Sequence, residues 1–458
     1  MATRIRGNSG GYSPSKQNTP RRADSSGTSR RAAAGRSTAR RTGMPNRGST
    51  AHRTGTSQSS SSRADTVRSG SRSTARSRAN EEPQSGVKRF LYDALFKKTE
   101  GEIDYTFLTI VIAVLAMGLV ILLSASAPRA NALHGSSYYF FIRQFGFAAA
   151  GVVSMLFLSK VDYRSYRPFV PAAVVVGIVL LILVAIPGIG TSHNGARRWL
   201  FGIQPSELMK PITAMAVANM ITNQNLHMKK ITNILVLGVF LAIVVVLMFL
   251  EPHVSGAVII VGIAGCIMLV AGFPVLPVIL LAVLGAFGVG IYAKLFSPTR
   301  WARIMNFFNP FADAQGTSFQ IAQSIYSIGS GGITGRGLGQ SLQKFQFLPE
   351  PYNDFIFAIV CEELGLIGAI FVMGLFALLI IRGARIAMNA PDRYSMLLAT
   401  GIVAQVAIQS IMNMGVASGA IPNTGVSLPF FSYGGTSLFT LLCEMGILLN
   451  ISRQSKKN

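Results

Sequence analysis

Leu348-Pro-Glu-Pro-Tyr-Asn-Asp354-Phe-Ile-Phe357 is where a long polar stretch turns into an apolar run long enough to cross a bilayer. The junction carries an acid, Asp354, at a position where desolvating a carboxylate is costly. Two readings compete. Asp354 caps the helix that follows, accepting hydrogen bonds from its free N–H groups, or it is a catalytic base facing a site at the membrane surface.

Upstream and downstream of this junction the chain is built from similar apolar runs. Half of its residues are hydrophobic and 13% are charged. About ten segments reach the roughly 20 residues needed to span a membrane, near 105–125, 139–159, 168–188, 206–223, 231–250, 254–272, 275–295, 354–381, 394–416 and 430–451. The fourth is the most polar, with Lys210, Pro211 and Asn219. The expected fold is therefore an all-α polytopic membrane protein of about ten transmembrane helices. A long extracytoplasmic loop, about 296–353, joins helices 7 and 8.

The net charge is +24, but residues 1–90 hold 19 Lys/Arg against 4 Asp/Glu and so carry +15 of it. This segment is rich in Ser, Arg, Thr, Gly and Ala and too poor in large apolar residues to fold alone. Residues 1–95 are expected to form a disordered basic cytoplasmic tail attracted to anionic membrane lipids. The tail lacks the apolar core of a signal peptide. It also lacks the interleaved aromatics of a nucleic-acid surface, so no nucleic-acid partner is expected.

With the tail inside, the loops at 160–167, 225–230 and 382–393 and the end at 452–458 are cytoplasmic and carry Lys or Arg, as the charge rule requires. Both termini are then cytoplasmic. Two outer loops break the rule, one with Arg197 and Arg198, the other with Arg300, Arg303, Arg336 and Lys344. Cations kept on the unfavoured side suggest an anion site. The second loop opens with Trp301, Ile304, Met305, Phe307 and Phe308. It continues through Gln320, Gln323 and Ser324 to a Gly-rich run, 329–339. Loops of this length are functional or disordered. The aromatic content argues for order, as short interfacial helices.

Inside the spans, Glu207 and Lys210 are three residues apart and share a helix face. They form an ion pair or line a substrate cavity. Glu362 falls within roughly 80° of Asp354 on a helical wheel, so both could border one cavity; a packing role for Glu362 and Glu363 fits equally well. Glu444 reads as part of a hydrogen-bond network, and His253 as structural. Cys266, Cys361 and Cys443 read as small buried hydrophobes. There is no zinc spacing and no Walker loop.

Four blocks of these residues resemble the SEDS family (FtsW/RodA/SpoVE-like) over about 100–452. The first is Asn194-Gly-Ala-Arg197-Arg198-Trp199 with Gln204-Pro-Ser-Glu207-Leu-Met-Lys210. The second is Phe319-Gln320-Ile-Ala-Gln323-Ser324 with Gly335-Arg-Gly-Leu-Gly339. The third is Gln343-Lys344, Leu348-Pro-Glu350 through Phe357, and Glu362-Glu363-Leu-Gly365. The fourth is Pro422-Asn-Thr-Gly425 with Leu428-Pro-Phe-Phe-Ser432-Tyr-Gly-Gly435.

The resemblance implies a peptidoglycan glycosyltransferase that polymerises lipid II on the outer face of the plasma membrane. It implies a class B penicillin-binding protein as partner, with other divisome proteins. Asp354 matches the family's essential acid and Lys210 its lysine. Glu207, Arg197, Arg198, Trp199, Arg303, Gln320, Gln323, Ser324, Lys344, Glu350 and Ser432 are expected to bind substrate. A divalent cation, magnesium or manganese, is expected to assist, with its ligands unassigned. The tail and Gly425-Val-Ser-Leu-Pro429 lean towards the division-type, FtsW-like branch and a septal location; an elongation- or sporulation-type polymerase, a lipid II flippase and a non-catalytic scaffold are the alternatives. One departure stands out. Where the family pattern resembles Gln-Pro-Asp-Leu-Gly-Thr, this chain reads Glu251-Pro-His-Val-Ser-Gly256. Also, the stretch joining Arg-Arg-Trp to Gln-Pro-Ser-Glu is shortened, and Thr424 replaces a lysine of some division-type members.

Overall fold

A computed structural model describes residues 101–455, apart from 194–195, 224–230, 252, 297, 312, 314, 317 and 346. The expected 1–95 tail lies outside the described residues. A helix lies on each of the ten apolar segments: α1 (Tyr105–His134), α2 (Tyr139–Leu158), α3 (Val170–Ala185), α4 (Pro205–Thr222), α5 (Ile231–Leu250), α6 (Val254–Val270), α7 (Val275–Phe296), α10 (Ile356–Met388), α11 (Arg393–Ala417) and α12 (Gly435–Gln454). Between α7 and α10 the long loop folds into α8 (Pro298–Phe308) and α9 (Phe319–Gly331). A hairpin of β1 (Thr191–His193) and β2 (Ala196–Trp199) precedes α4. Among the described residues, six helices meet both the length and the hydropathy expected of a span. They are α1, α2, the α3 region from Tyr163, α10, α11 and α12.

The helices carry apolar residues all round, as lipid-facing helices do. They differ in how much they bury. Helix α11 packs against α10, α6 and α4, and α12 packs along α2. Small residues permit close crossings: a Cβ on Gly118 would lie 2.5 Å from the Phe430 carbonyl, and one on Gly446 2.6 Å from that of Met155.

Helix α10 is two helices joined at a break. Gly365 has φ 67 and ψ −165, a backbone state that only glycine adopts cheaply. The break frees the carbonyls of Glu362 and Glu363, which then accept hydrogen bonds from Arg336 N and Gly337 N, each at 3.0 Å. In return Leu366 N and Ile367 N donate to the carbonyls of Gly332 and Ile333, at 2.9 and 3.2 Å. The Gly-rich run of the long loop is thus stitched into the broken helix. A Cβ on Gly365 would lie 2.2 Å from Gly335 N.

Two acids complete this clamp. Glu362 accepts from Ser327 Oγ (3.0 Å), Ser341 Oγ (2.6 Å) and Leu342 N (2.9 Å). Glu363 pairs with Lys344 Nζ at 3.0 Å and accepts from Ser124 Oγ at 2.6 Å. Both acids are buried. The helical-wheel expectation that Glu362 borders a cavity with Asp354 does not hold. Asp354 precedes the helix rather than lying on it, and Glu362 turns towards α9 and the loop. Helix α9 packs on α10 and buries one face, with Ile321, Ala322, Ser324 and Ser327, while Tyr326 on another face is exposed.

At the opposite face, Asp104 caps α1 by accepting from Phe107 N at 3.0 Å and pairs with Arg382 at 2.8 Å. Asp392 caps α11, pairs with Arg164 at 2.9 Å and accepts a short bond from the Tyr163 hydroxyl.

Candidate functional site

Asp354 sits on the loop face, one residue before the Phe355 N-cap of α10, and that helix has no side-chain cap. The capping reading of this acid is therefore not the one the structure takes. Its backbone is held from below. Asn413, buried in α11, donates from Nδ2 to the carbonyls of Asp354 and Val426, each at 2.7 Å. Ser432 Oγ donates to Asn353 O at 2.5 Å and accepts from Leu428 N at 2.8 Å, while Tyr433 N donates to Tyr352 O at 2.9 Å. Gln144 of α2 ties the second segment down, donating to Ser432 O and accepting from Gly434 N. Two polar loops thus lie side by side, and the pairing points the Asp354 carboxylate at Gly425. A Cβ on Gly425, which has φ 68, would lie 3.4 Å from Asp354 Oδ2.

Asp354 is half-buried. Burial raises its carboxyl above the ordinary aspartate range, and Glu350 adds to this; Arg198 and Arg303 pull the other way. The result is a carboxylate kept basic with two cations within electrostatic reach, an arrangement that can accept a proton beside a developing negative charge.

Of the predicted site residues, Arg198 lies in β2 and Arg303 on the exposed side of α8, and both act on Asp354. Arg197 pairs by its backbone with Ser192 across the hairpin, and the Trp199 carbonyl accepts from Thr191 Oγ1 at 3.1 Å. Glu350 has φ 52 and accepts from Asn353 Nδ2 at 2.6 Å. Glu207 and Lys210 form a buried ion pair at 2.7 Å in the first turns of α4, with Ser437 Oγ donating to the other Glu207 oxygen at 2.6 Å. Gln320 accepts from Asn423 Nδ2 at 3.1 Å, placing it against the fourth block, and Gln323 is half-buried on the same helix.

Three others are committed to the scaffold. Lys344 is buried and binds Glu363, Ser124 and the Gly339 carbonyl. Ser324 donates to Ala417 O at 2.7 Å. Ser432 holds the two loops together.

The sequence reading missed Asn413 and Ser437, and it quoted Gly425 within a motif block without giving it a role. An amide in an apolar span was a usable signal for Asn413; nothing local marks Ser437. Nor did it foresee the turn at 251–255 as part of this region. There His253 Nδ1 lies 2.9 Å from Ser206 Oγ, and Ser255 Oγ makes a short bond to the carbonyl of Thr424, next to Gly425. Among the described residues, no cluster of three His, Cys, Asp or Glu could hold a metal by itself. Any divalent cation at Asp354 would need substrate oxygens to complete its shell, as magnesium often does.

Comparison with known proteins agrees with this architecture. The family described as cell cycle protein (FtsW, RodA, SpoVE) matches residues 105–457. Stage V sporulation protein E of Bacillus subtilis is 41% identical over 79% of this chain and 99% of its own length. The probable peptidoglycan glycosyltransferase FtsW of Geobacter metallireducens is 37% identical over 77% of this chain and 95% of its own. A chain of a solved peptidoglycan synthase complex, described for its coordination of polymerization and crosslinking, superposes with a TM-score of 0.65 at 25% identity, covering 77% of this chain and 98% of that one. RodA of Thermus thermophilus shares the fold, with a TM-score of 0.58, over 78% of this chain and 98% of its own. Helical architecture, motif blocks and relatives agree: this chain belongs to the FtsW/RodA/SpoVE family of cell cycle proteins.

Proposed function

We propose that the protein is a peptidoglycan glycosyltransferase that polymerises lipid II at the outer face of the cytoplasmic membrane, in cell division, with Asp354 as general base. The observation that carries this reading is the placement of Asp354: half-buried just before α10, its carboxylate directed at Gly425 across the paired loops, with Arg198 and Arg303 within electrostatic reach. Relatives named as probable peptidoglycan glycosyltransferases supply the reaction class.

The chemistry follows from the substrate. A sugar hydroxyl attacks an anomeric carbon whose leaving group is a lipid diphosphate. Asp354 takes the hydroxyl proton as the new C–O bond forms. The old C–O bond breaks with its electron pair moving to the diphosphate, and the anomeric centre inverts. Diphosphate is already a good leaving group, so cations serve it better than a second acid. This is why one carboxylate with Arg198 and Arg303 suffices, where glycoside hydrolases use two carboxylates. Lys210 is locked to Glu207 in a buried ion pair, which Ser437 of α12 joins through the other Glu207 oxygen.

A class B penicillin-binding protein that crosslinks the product is the proposed partner within the divisome, in line with the synthase complex that shares this fold. The test is lipid II polymerisation by purified protein, with and without that partner, for wild type and Asp354→Asn. Polymer from wild type and none from the variant is the expected result. Full activity of Asp354→Asn, or transbilayer movement of labelled lipid II without polymer, would sink the reading.

A further inference from the structure

Glu251 stands in the short turn between α5 and α6. It is fully buried, and neither carboxylate oxygen has a hydrogen-bond partner among the described residues. An unpaired buried carboxylate costs several kcal/mol, so it either holds a proton or answers a nearby cation. The turn is attached to the proposed site at two points, through His253 to Ser206 and through Ser255 to the Thr424 carbonyl. Arg198 is within electrostatic reach of Glu251, of His253 and of Asp354.

We propose that Glu251 is a positioning residue that competes with the substrate diphosphate for the Arg198 guanidinium, and that its own proton decides the contest. Protonated, Glu251 is neutral and makes no claim on Arg198. Ionised, it is an anion in a dry turn within electrostatic reach of Arg198 and draws that cation to itself. The inference rests on the reading that this face binds a lipid diphosphate.

The surrounding charges permit such a switch. Burial pushes the Glu251 carboxyl up to about 8, with Arg198 opposing. Burial and then Arg198 push His253 down to about 3, so its ring stays neutral while Glu251 titrates. Glu207 and Lys210 neutralise each other in their ion pair. Asp354, and Glu444 of α12 beyond the Glu207–Lys210 pair, are the remaining acids nearby that could titrate.

The experiment measures lipid II binding to the full chain in nanodiscs across about pH 6.5 to about pH 9.5, in an Asp354→Asn background. That background removes both turnover and the titration of Asp354, while a slope that came from Glu444 would survive Glu251→Gln. The diphosphate of lipid II is esterified at both ends, so its charge is constant over this range. Binding should weaken about tenfold as pH rises, a typical size for coupling between two sites. Glu251→Gln should flatten the dependence at the tighter limit, and Arg198→Ala should bind weakly with no slope. A slope that survives either substitution, or no slope in the background protein, overturns the proposal. Lipid II that fails to bind at any pH instead overturns the functional reading beneath it.

Discussion

Asn413 Nδ2 lies 2.7 Å from the carbonyl of Asp354 and 2.7 Å from that of Val426. One buried amide of α11 thus fixes the separation of the two loops that form the proposed site. It sets the residue that carries the base against the segment that ends in Gly425 and Ser432.

Asn413→Ala leaves two buried carbonyls without a donor, each costing about 1–3 kcal/mol. The loops should loosen before the bundle does. Lipid II polymerisation should fall roughly tenfold or more while expression and membrane insertion persist. Unchanged polymerisation would show that the loops hold their register without this amide.

Removal of a general base costs roughly 10²–10⁴-fold in rate, so Asp354→Asn should lose activity on that scale. Because Asp354 caps no helix, the variant should melt within a few degrees of wild type in detergent. A base must be deprotonated to work. Burial raises the pKa of Asp354, so the acid limb of the kcat profile should lie above the ordinary aspartate range and vanish in Asp354→Asn. A limb at or below that range would contradict the environment described for this carboxyl.

Gly425 has φ 68, and a Cβ there would lie 3.4 Å from Asp354 Oδ2. Gly425→Ala should cost about 1–2 kcal/mol of backbone strain and crowd the carboxylate. Turnover should drop far more than thermal stability does. Comparable losses in both would point to a folding role alone.

Lys344 and Glu363 form a buried pair 19 residues apart in sequence. Breaking such a pair from one side costs about 3–5 kcal/mol, because the other charge stays buried. Lys344→Met should therefore lower the thermal midpoint strongly and open the 332–344 segment to proteolysis. Adding Glu363→Gln to it should restore part of the stability. If Lys344→Met is neutral, the clamp is not what holds the loop.

Glu251 sets the sign of a pH effect on stability. Its folded pKa, about 8, is above its ordinary value of 4.5. The folded protein therefore binds more protons than the unfolded chain between these values, and stability falls as pH rises through that window. In detergent, the melting temperature of Glu251→Gln should decline less than that of wild type between about pH 5 and about pH 9. Parallel decline would assign the pH dependence to other groups.

The amino-acid sequence alone determined the helices, because lipid solvent demands long apolar runs whose backbone bonds close within each segment. All ten predicted segments are helical. It also marked Asp354, since an acid at the end of a polar loop is conspicuous, and the Glu207–Lys210 pair, whose spacing is local. Only the tertiary structure decided which polar groups meet. Arg198 and Asp354 are 156 residues apart, and Asn413 reaches Asp354 from another helix; such contacts depend on how α4, α10 and α11 pack, and no periodicity encodes that. The same packing took Glu362, Glu363 and Lys344 into the clamp at Gly365. It also brought Glu251, the acid of the turn between α5 and α6, within electrostatic reach of Arg198.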